Sequence, residues 1–442
     1  MKRGTAAALV AIPIAIGGGI WVAARGSGGE VEMAAPAFAA AGVKADAEIR
    51  DADIAFYEAR TKEDPYGGSD RSRLAYLYLQ RGRETGDYED YRRAERAARA
   101  AVAARAHRNA SGYLTLSSAL LAQHRFAESL EAARVLVAMD PDKASYRALL
   151  GELQIEMGDY AGARGTFGSL EGDEENLAVA PRLARWEEVR GNTDRARSIL
   201  VGAARQADGR GDLPREQAAW FHLRVGDLET RHGRLRQADD AFRSGLKRNP
   251  GDARMYAGLA RTAWMRGQWK EAIGFGEKAG DRADFNTLSV MGDAHAALGN
   301  RAEAERFHRR IEDGNAANPE PYARQWTLFR LDHKREVPAT LALLRREIEG
   351  RKDVLGYDML AWALFRAGDF AAAREASRQA LALGTRDAAA YFHAGMIERA
   401  LGNEDGARKH LRTALDINPR FHPLFAEVAR AALDGRALPN EW

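Results

Sequence analysis

The sequence predicts an all-α protein, an array of helix–turn–helix units laid end to end. Three observations carry this. Alanine, leucine, arginine and glutamate are abundant and alternating strand-like runs are scarce, which favours helix throughout. A pattern of small residues returns about every 34 residues, the period of two short helices and their turns. A chain of 442 residues is also too long for one ordinary core, whereas in an array each unit packs only on its neighbours.

The frame is clearest from Ala219 to Pro250, where Gly226, Gly233, Ala238, Phe242 and Pro250 occupy places 8, 15, 20, 24 and 32. Counting from Ala253 returns Ala260, Gly267, Ala272 and Ala279; counting from Ala388 returns Gly395, Gly402, Ala407, Leu411, Ala414 and Pro419. Places 8 and 20 lie where the two helices of a unit cross, so small residues there let the backbones approach. Larger residues at places 4, 7, 11 and 24 fill the layer around the crossing. A glycine near place 15 supplies the positive φ that ends the first helix, and the proline stops the second.

These units resemble the tetratricopeptide repeat family. The resemblance covers roughly Asp46 to Leu433 and implies a right-handed superhelix of about ten units, whose first helices line a concave groove for partner proteins. Some family members grip a terminal carboxylate with lysine and asparagine at concave places. Here those places hold residues such as Arg254, Ala257, Arg261 and Asn286, so that recognition is not implied.

In chain order, Met1-Lys2-Arg3 precedes an uncharged run from Gly4 to Ala24. Residues 5–24 are long enough to cross a bilayer core as a helix, although Pro13 and Gly17-Gly18-Gly19 weaken it. The expectation for residues 1–25 is a signal anchor, or else a signal peptide cleaved after Ala24. Residues 26–45 read as a flexible linker. Asp46 to Lys62 reads as the helix of a half unit over residues 46–67. Full units start near residues 68, 110, 144, 177, 219, 253, 285, 320, 354 and 388. The first carries extra residues around Arg83–Asp90, a long connection is expected over Gln206–Glu216, and the eighth is degenerate. A capping helix over 421–433 and a tail over 434–442 end the chain.

The charge balance, 66 basic against 63 acidic residues, argues against a nucleic-acid partner. With no cysteine there is no disulfide, thiolate metal site or cysteine nucleophile. Nucleophile-elbow, phosphate-loop and zinc-helix motifs do not occur, so neither enzyme activity nor a cofactor is expected. No two of the ten histidines have the spacing of zinc ligands on one helix; His295 and His308 could approach within one unit, but packing explains them better, and no metal is expected.

What remains is the concave face, read from places 2, 5, 9 and 12 of each first helix. The earlier units offer Ser118, Leu121, Glu152, Ile155, Arg185 and Glu188. The candidate partner-binding residues lie later: Trp220, Asp227, Arg254, Arg261, Trp264, Asp293, Trp362, Phe365, Phe392 and Arg399, with Met396 among them. Tryptophan, arginine and methionine are enriched in interfaces because they bury area while keeping adaptable contacts. The expected function is a non-enzymatic scaffold or assembly factor of the bacterial cell envelope. It would be anchored in the cytoplasmic membrane through residues 5–24, its array periplasmic and its groove holding an envelope protein. The alternative is a polysaccharide-binding or export accessory protein that stacks sugars on concave aromatics.

Overall fold

A computed structural model describes Ile14–Ala15, Gly18–Gly19 and residues 35–317 and 323–439. Its helices alternate along the array as first and second members of each unit. The half unit is α1 (Ala35–Glu63). The full units pair α2 (Gly68–Thr85) with α3 (Tyr88–Ala104), α4 (Ala110–Ala122) with α5 (Phe126–Met139), and α6 (Ala144–Met157) with α7 (Tyr160–Gly168). Next come α8 (Ala180–Val189) with α9 (Thr193–Asp208), α10 (Arg215–Arg231) with α11 (Leu235–Arg248), and α12 (Ala253–Met265) with α13 (Trp269–Ala279). Then follow α14 (Phe285–Ala297) with α15 (Arg301–Ala317), α16 (Ala323–Asp332) with α17 (Val337–Gly350), α18 (Val354–Arg366) with α19 (Phe370–Ala380), and α20 (Ala388–Ala400) with α21 (Glu404–Ile417). The closing helix α22 spans Pro423–Leu433.

Phe242 shows why the frame holds. Its ring lies between two first helices, so a Cβ on Gly226 would sit 2.3 Å from it and one on Gly258 2.5 Å. Gly151 meets Phe167 and Gly395 meets Leu411 in the same way, both at 2.7 Å. Second helices are one-sided: α11 buries Leu235, Ala238, Ala241, Phe242 and Gly245 and turns its charged residues outward.

Three expectations change, and one gains its detail. The four described residues of the run 5–24 form a short antiparallel ladder, β1 (Ile14–Ala15) with β2 (Gly18–Gly19), where a helix was expected. The rest of that run lies outside the described residues, among which no helix is long and apolar enough to cross a membrane. The expected linker 26–45 is helical from Ala35, because Ala35 to Val43 is alanine-rich and continues in helical register into the half unit. The extra residues of the first unit are taken up by lengthening α2 to a left-handed cap at Gly86. The long connection Gln206–Glu216 shrinks to residues 209–214, as α9 and α10 extend into it from both sides.

The units form one stack that winds back upon itself. Turns closing the first helices of units three to five lie under the connections that follow the second helices of units eight to ten. A Cβ on Gly158 would fall 2.4 Å from the Lys352 carbonyl, one on Gly191 2.4 Å from that of Gly384, and one on Gly233 2.8 Å from Asn418 Oδ1. Those glycines, at φ 80, 81 and 70, thus serve both the left-handed turn and the close approach. Across this seam Val354 N donates to Tyr160 Oη at 2.7 Å, Arg351 Nε to the Glu156 carbonyl at 2.8 Å, and Asn418 Nδ2 to the Thr230 carbonyl at 3.0 Å. Arg351 also covers the Phe126 ring at 4.1 Å. The bonded residues are 188 to 195 apart in sequence, between five and six repeat lengths. At the other end Arg83 pairs with Glu216 at 3.4 Å, and Arg282 donates to the Glu84 carbonyl at 3.2 Å.

Candidate partner-binding groove

Successive first helices are tied by a ladder of polar pairs. Glu152 on α6 meets Arg182 on α8 at 2.6 Å, and Glu188 on α8 meets Arg231 at the end of α10 at 2.6 Å. Asp227 on α10 meets Arg261 on α12 at 2.7 Å. Asp293 on α14 meets His333, just past α16, at 2.8 Å. Asp332 accepts from Trp362 Nε1 on α18 at 3.0 Å, and Asp358 meets His393 on α20 at 3.0 Å. Burial opposes the charge on Glu188, yet Arg231 and Arg185 bring its carboxyl down to about 2.

The ladder redistributes the sequence-derived candidates. Trp362 and Phe392 are fully buried and Trp264 is only 8% exposed, so these three are core and present no surface to a partner. Trp362 stacks on His393 at 4.1 Å and on Phe365 at 5.0 Å, while Trp264 packs edge-on against His422 at 4.7 Å. Met396 is buried as well. His422 and Phe425, at the start of α22, and the neighbouring first helices cover these aromatic rings. Phe365 is half-buried and Arg399 exposed. Arg254 is clamped between Glu216 at 2.9 Å and Asp252 at 2.7 Å.

Asp227, Arg254 and Arg261 share one groove of about 260 Å³ with Arg282, Asp284 and Asn286, where α10, α12 and α14 meet. Through Arg254 and Arg282 it adjoins a cleft of about 840 Å³ between α1–α2 and α10–α12. Deeper in the concave face, Arg185, Arg224, Arg231 and Arg261 surround Glu188 and Asp227, with the Asp387 carboxyl acting on Arg231 from α20. Among the described residues Arg224 has no carboxylate at ion-pair distance. Its guanidinium lies 5.9 Å from the Trp220 ring, its Nε is buried without a hydrogen-bond partner, and burial lowers its pKa.

A tetratricopeptide repeat family profile matches residues 114–171, 226–286 and 359–420. In these three segments the chain carries tetratricopeptide repeats. No curated protein is significantly similar in sequence. Among solved structures, a tetratricopeptide repeat protein from Parabacteroides merdae is 16% identical over 54% of this chain and 92% of its own, with a TM-score of 0.38. Human IFIT1, solved as a dimer with m7Gppp-AAAA, is 15% identical over 72% of each chain at 0.46, and yeast Tom70 13% over 91% and 95% at 0.36. Likenesses of this size identify neither partner nor ligand.

Between the seventh and eighth tetratricopeptide units lies a cluster that spacing did not reveal. Asp293, His308 and His333 bring three possible ligand atoms within 4.8 Å of one another. His295, the other histidine singled out in the sequence, instead stacks on Phe307 at 5.5 Å. The available signal was in the frame: place 24 holds Phe167, Phe242 and Leu411 in other units but His308 here. Place 15, glycine in most units and His124 in the second, holds Lys334 at φ 55. Burial opposes the Asp293 charge, but the nearby His308 imidazole, 3.8 Å away, and the bond from His333 hold its carboxyl well below the usual range. Burial likewise opposes the positive charge of His333, which Asp293 nonetheless favours, raising its pKa.

Proposed function

We propose that this protein is a non-enzymatic binding scaffold of the bacterial cell envelope, which takes an extended acidic segment of a partner protein along the arginine-lined concave face between α8 and α12. Tetratricopeptide arrays generally bind proteins, and the carboxylates of the ladder are already engaged across units by arginine, histidine or tryptophan. That arrangement favours a recognition surface over a reaction centre. The observation that carries the reading is Arg224, a guanidinium in the concave face without a carboxylate at ion-pair distance among the described residues. A partner carboxylate would supply the charge-assisted bonds it lacks. Stacking sugars on concave aromatics is less supported, since Trp264, Trp362 and Phe392 are buried. The envelope assignment rests on the uncharged run 4–24 behind Lys2-Arg3.

Fluorescence anisotropy with labelled glutamate-rich and lysine-rich peptides tests the groove. The acidic peptide should bind, weaken with salt, and bind at least tenfold more weakly to Arg224→Glu, an effect on the order of 1.4 kcal/mol or more. Equal binding of both peptides, or no change in the variant, would sink the reading. Carbonate-washed membranes and protease access to the array from the periplasm test the location; recovery in the soluble cytoplasmic fraction refutes it.

A further inference from the structure

We propose that Asp293, His308 and His333 form a site for a divalent transition-metal ion, with Zn²⁺ the ion this donor set suits, fastening the seventh unit to the eighth. Two imidazoles and one carboxylate are a donor set that zinc sites use, with water completing the shell. His333 Nε2 lies 2.8 Å and His308 Nε2 3.8 Å from the same Asp293 oxygen. Bonds of about 2.0–2.2 Å in a tetrahedron separate ligand atoms by roughly 3.2–3.6 Å, so the two distances need shifts of only a few tenths of an ångström.

The surroundings orient these ligands. His333 Nδ1 bonds the Phe329 carbonyl at 2.8 Å, which aims Nε2 at the site. His308 is 7% exposed, and its Nε2 is buried without a hydrogen-bond partner among the described residues. An ion pair between Asp293 and His333 alone leaves that nitrogen unsatisfied; a metal ion satisfies it. His308 Nδ1 faces Arg335 at 3.2 Å and Glu305 at 3.8 Å. On metal binding the Nε2 proton of His333 leaves to solvent, and His308 frees its Nε2 by taking its proton on Nδ1 instead, which turns from accepting Arg335 to donating toward Glu305, itself gripped by Arg335 at 2.8 Å. Gly292 permits the approach, because a Cβ there would lie 2.7 Å from His308 Nε2. Asp293 and His333 side chains stay 23% and 21% exposed, which leaves water access to the fourth position.

Chelator-stripped protein should take up one equivalent of Zn²⁺ in calorimetric titration at neutral pH, with release of protons and a rise in Tm. Co²⁺ in its place should give the visible absorption of a four-coordinate ion. His308→Gln and His333→Gln, each checked for native helicity by circular dichroism, should each bind at least tenfold more weakly; Glu305→Gln should weaken binding less. No stoichiometric uptake, or unchanged affinity in a folded His308→Gln or His333→Gln variant, overturns the proposal.

Discussion

Phe242 occupies one place in the frame and explains two glycines, because a Cβ on Gly226 or Gly258 would enter its ring. Gly226→Ala should therefore cost about 1–3 kcal/mol by urea unfolding, and Phe242→Leu on top of it should recover part of the loss. Two histidines give the fold a defined acid limit. Burial pushes His232 down to about 4 and His422 down to about 3. Both are therefore neutral in the fold but take up protons near pH 6.5 when unfolded. Their contribution is complete above pH 6.5 and is lost as pH falls toward those values, on the order of 2 kcal/mol each by pH 5. His333, whose pKa is raised, contributes with the opposite sign and offsets part of this. His422 Nδ1 caps α22 by accepting from Leu424 N at 3.2 Å, so His422→Asn keeps a capping acceptor and removes the titration. The variant should lose less stability than wild type between pH 7.5 and 5.

At the scale of elements, the turn between α16 and α17 departs from its neighbours. Lys334 takes the place where most other units carry glycine and is held at φ 55, with Glu336 at φ 46 close by. A left-handed backbone costs an L-residue roughly 1–2 kcal/mol, and the exposed Lys334 side chain makes no compensating bond among the described residues. Lys334→Gly should raise stability by about 0.5–1 kcal/mol in thermal or urea unfolding. The degenerate eighth unit was visible in the sequence as a broken frame. Its meeting with Asp293 and His308 was not, because ligands from two helices and a turn in two units follow no spacing rule. The same limit separates Arg261, a candidate that stayed in the groove, from Trp362, which the frame put on the same kind of face. Place numbers say where a side chain starts on a helix; what covers it comes from other units.

For the whole molecule, the seam decides shape. Arg351 and Asn418 hold one winding of the array on the next, each through bonds to a segment more than 180 residues away. The double variant Arg351→Ala, Asn418→Ala should keep its helical circular dichroism but show a larger radius of gyration by small-angle X-ray scattering. An unchanged radius would mean that nearest-neighbour packing alone sets the curvature. By itself the sequence determined the all-helical class, the repeat period and the crossing residues, because these are local matters of helix propensity and close approach between adjacent helices. Only the tertiary structure decided that windings touch, that three concave aromatics are core, that Arg224 has no carboxylate at ion-pair distance among the described residues, and that Asp293, His308 and His333 converge. Those depend on how small rotations add up over many units, and no short stretch of chain encodes their sum.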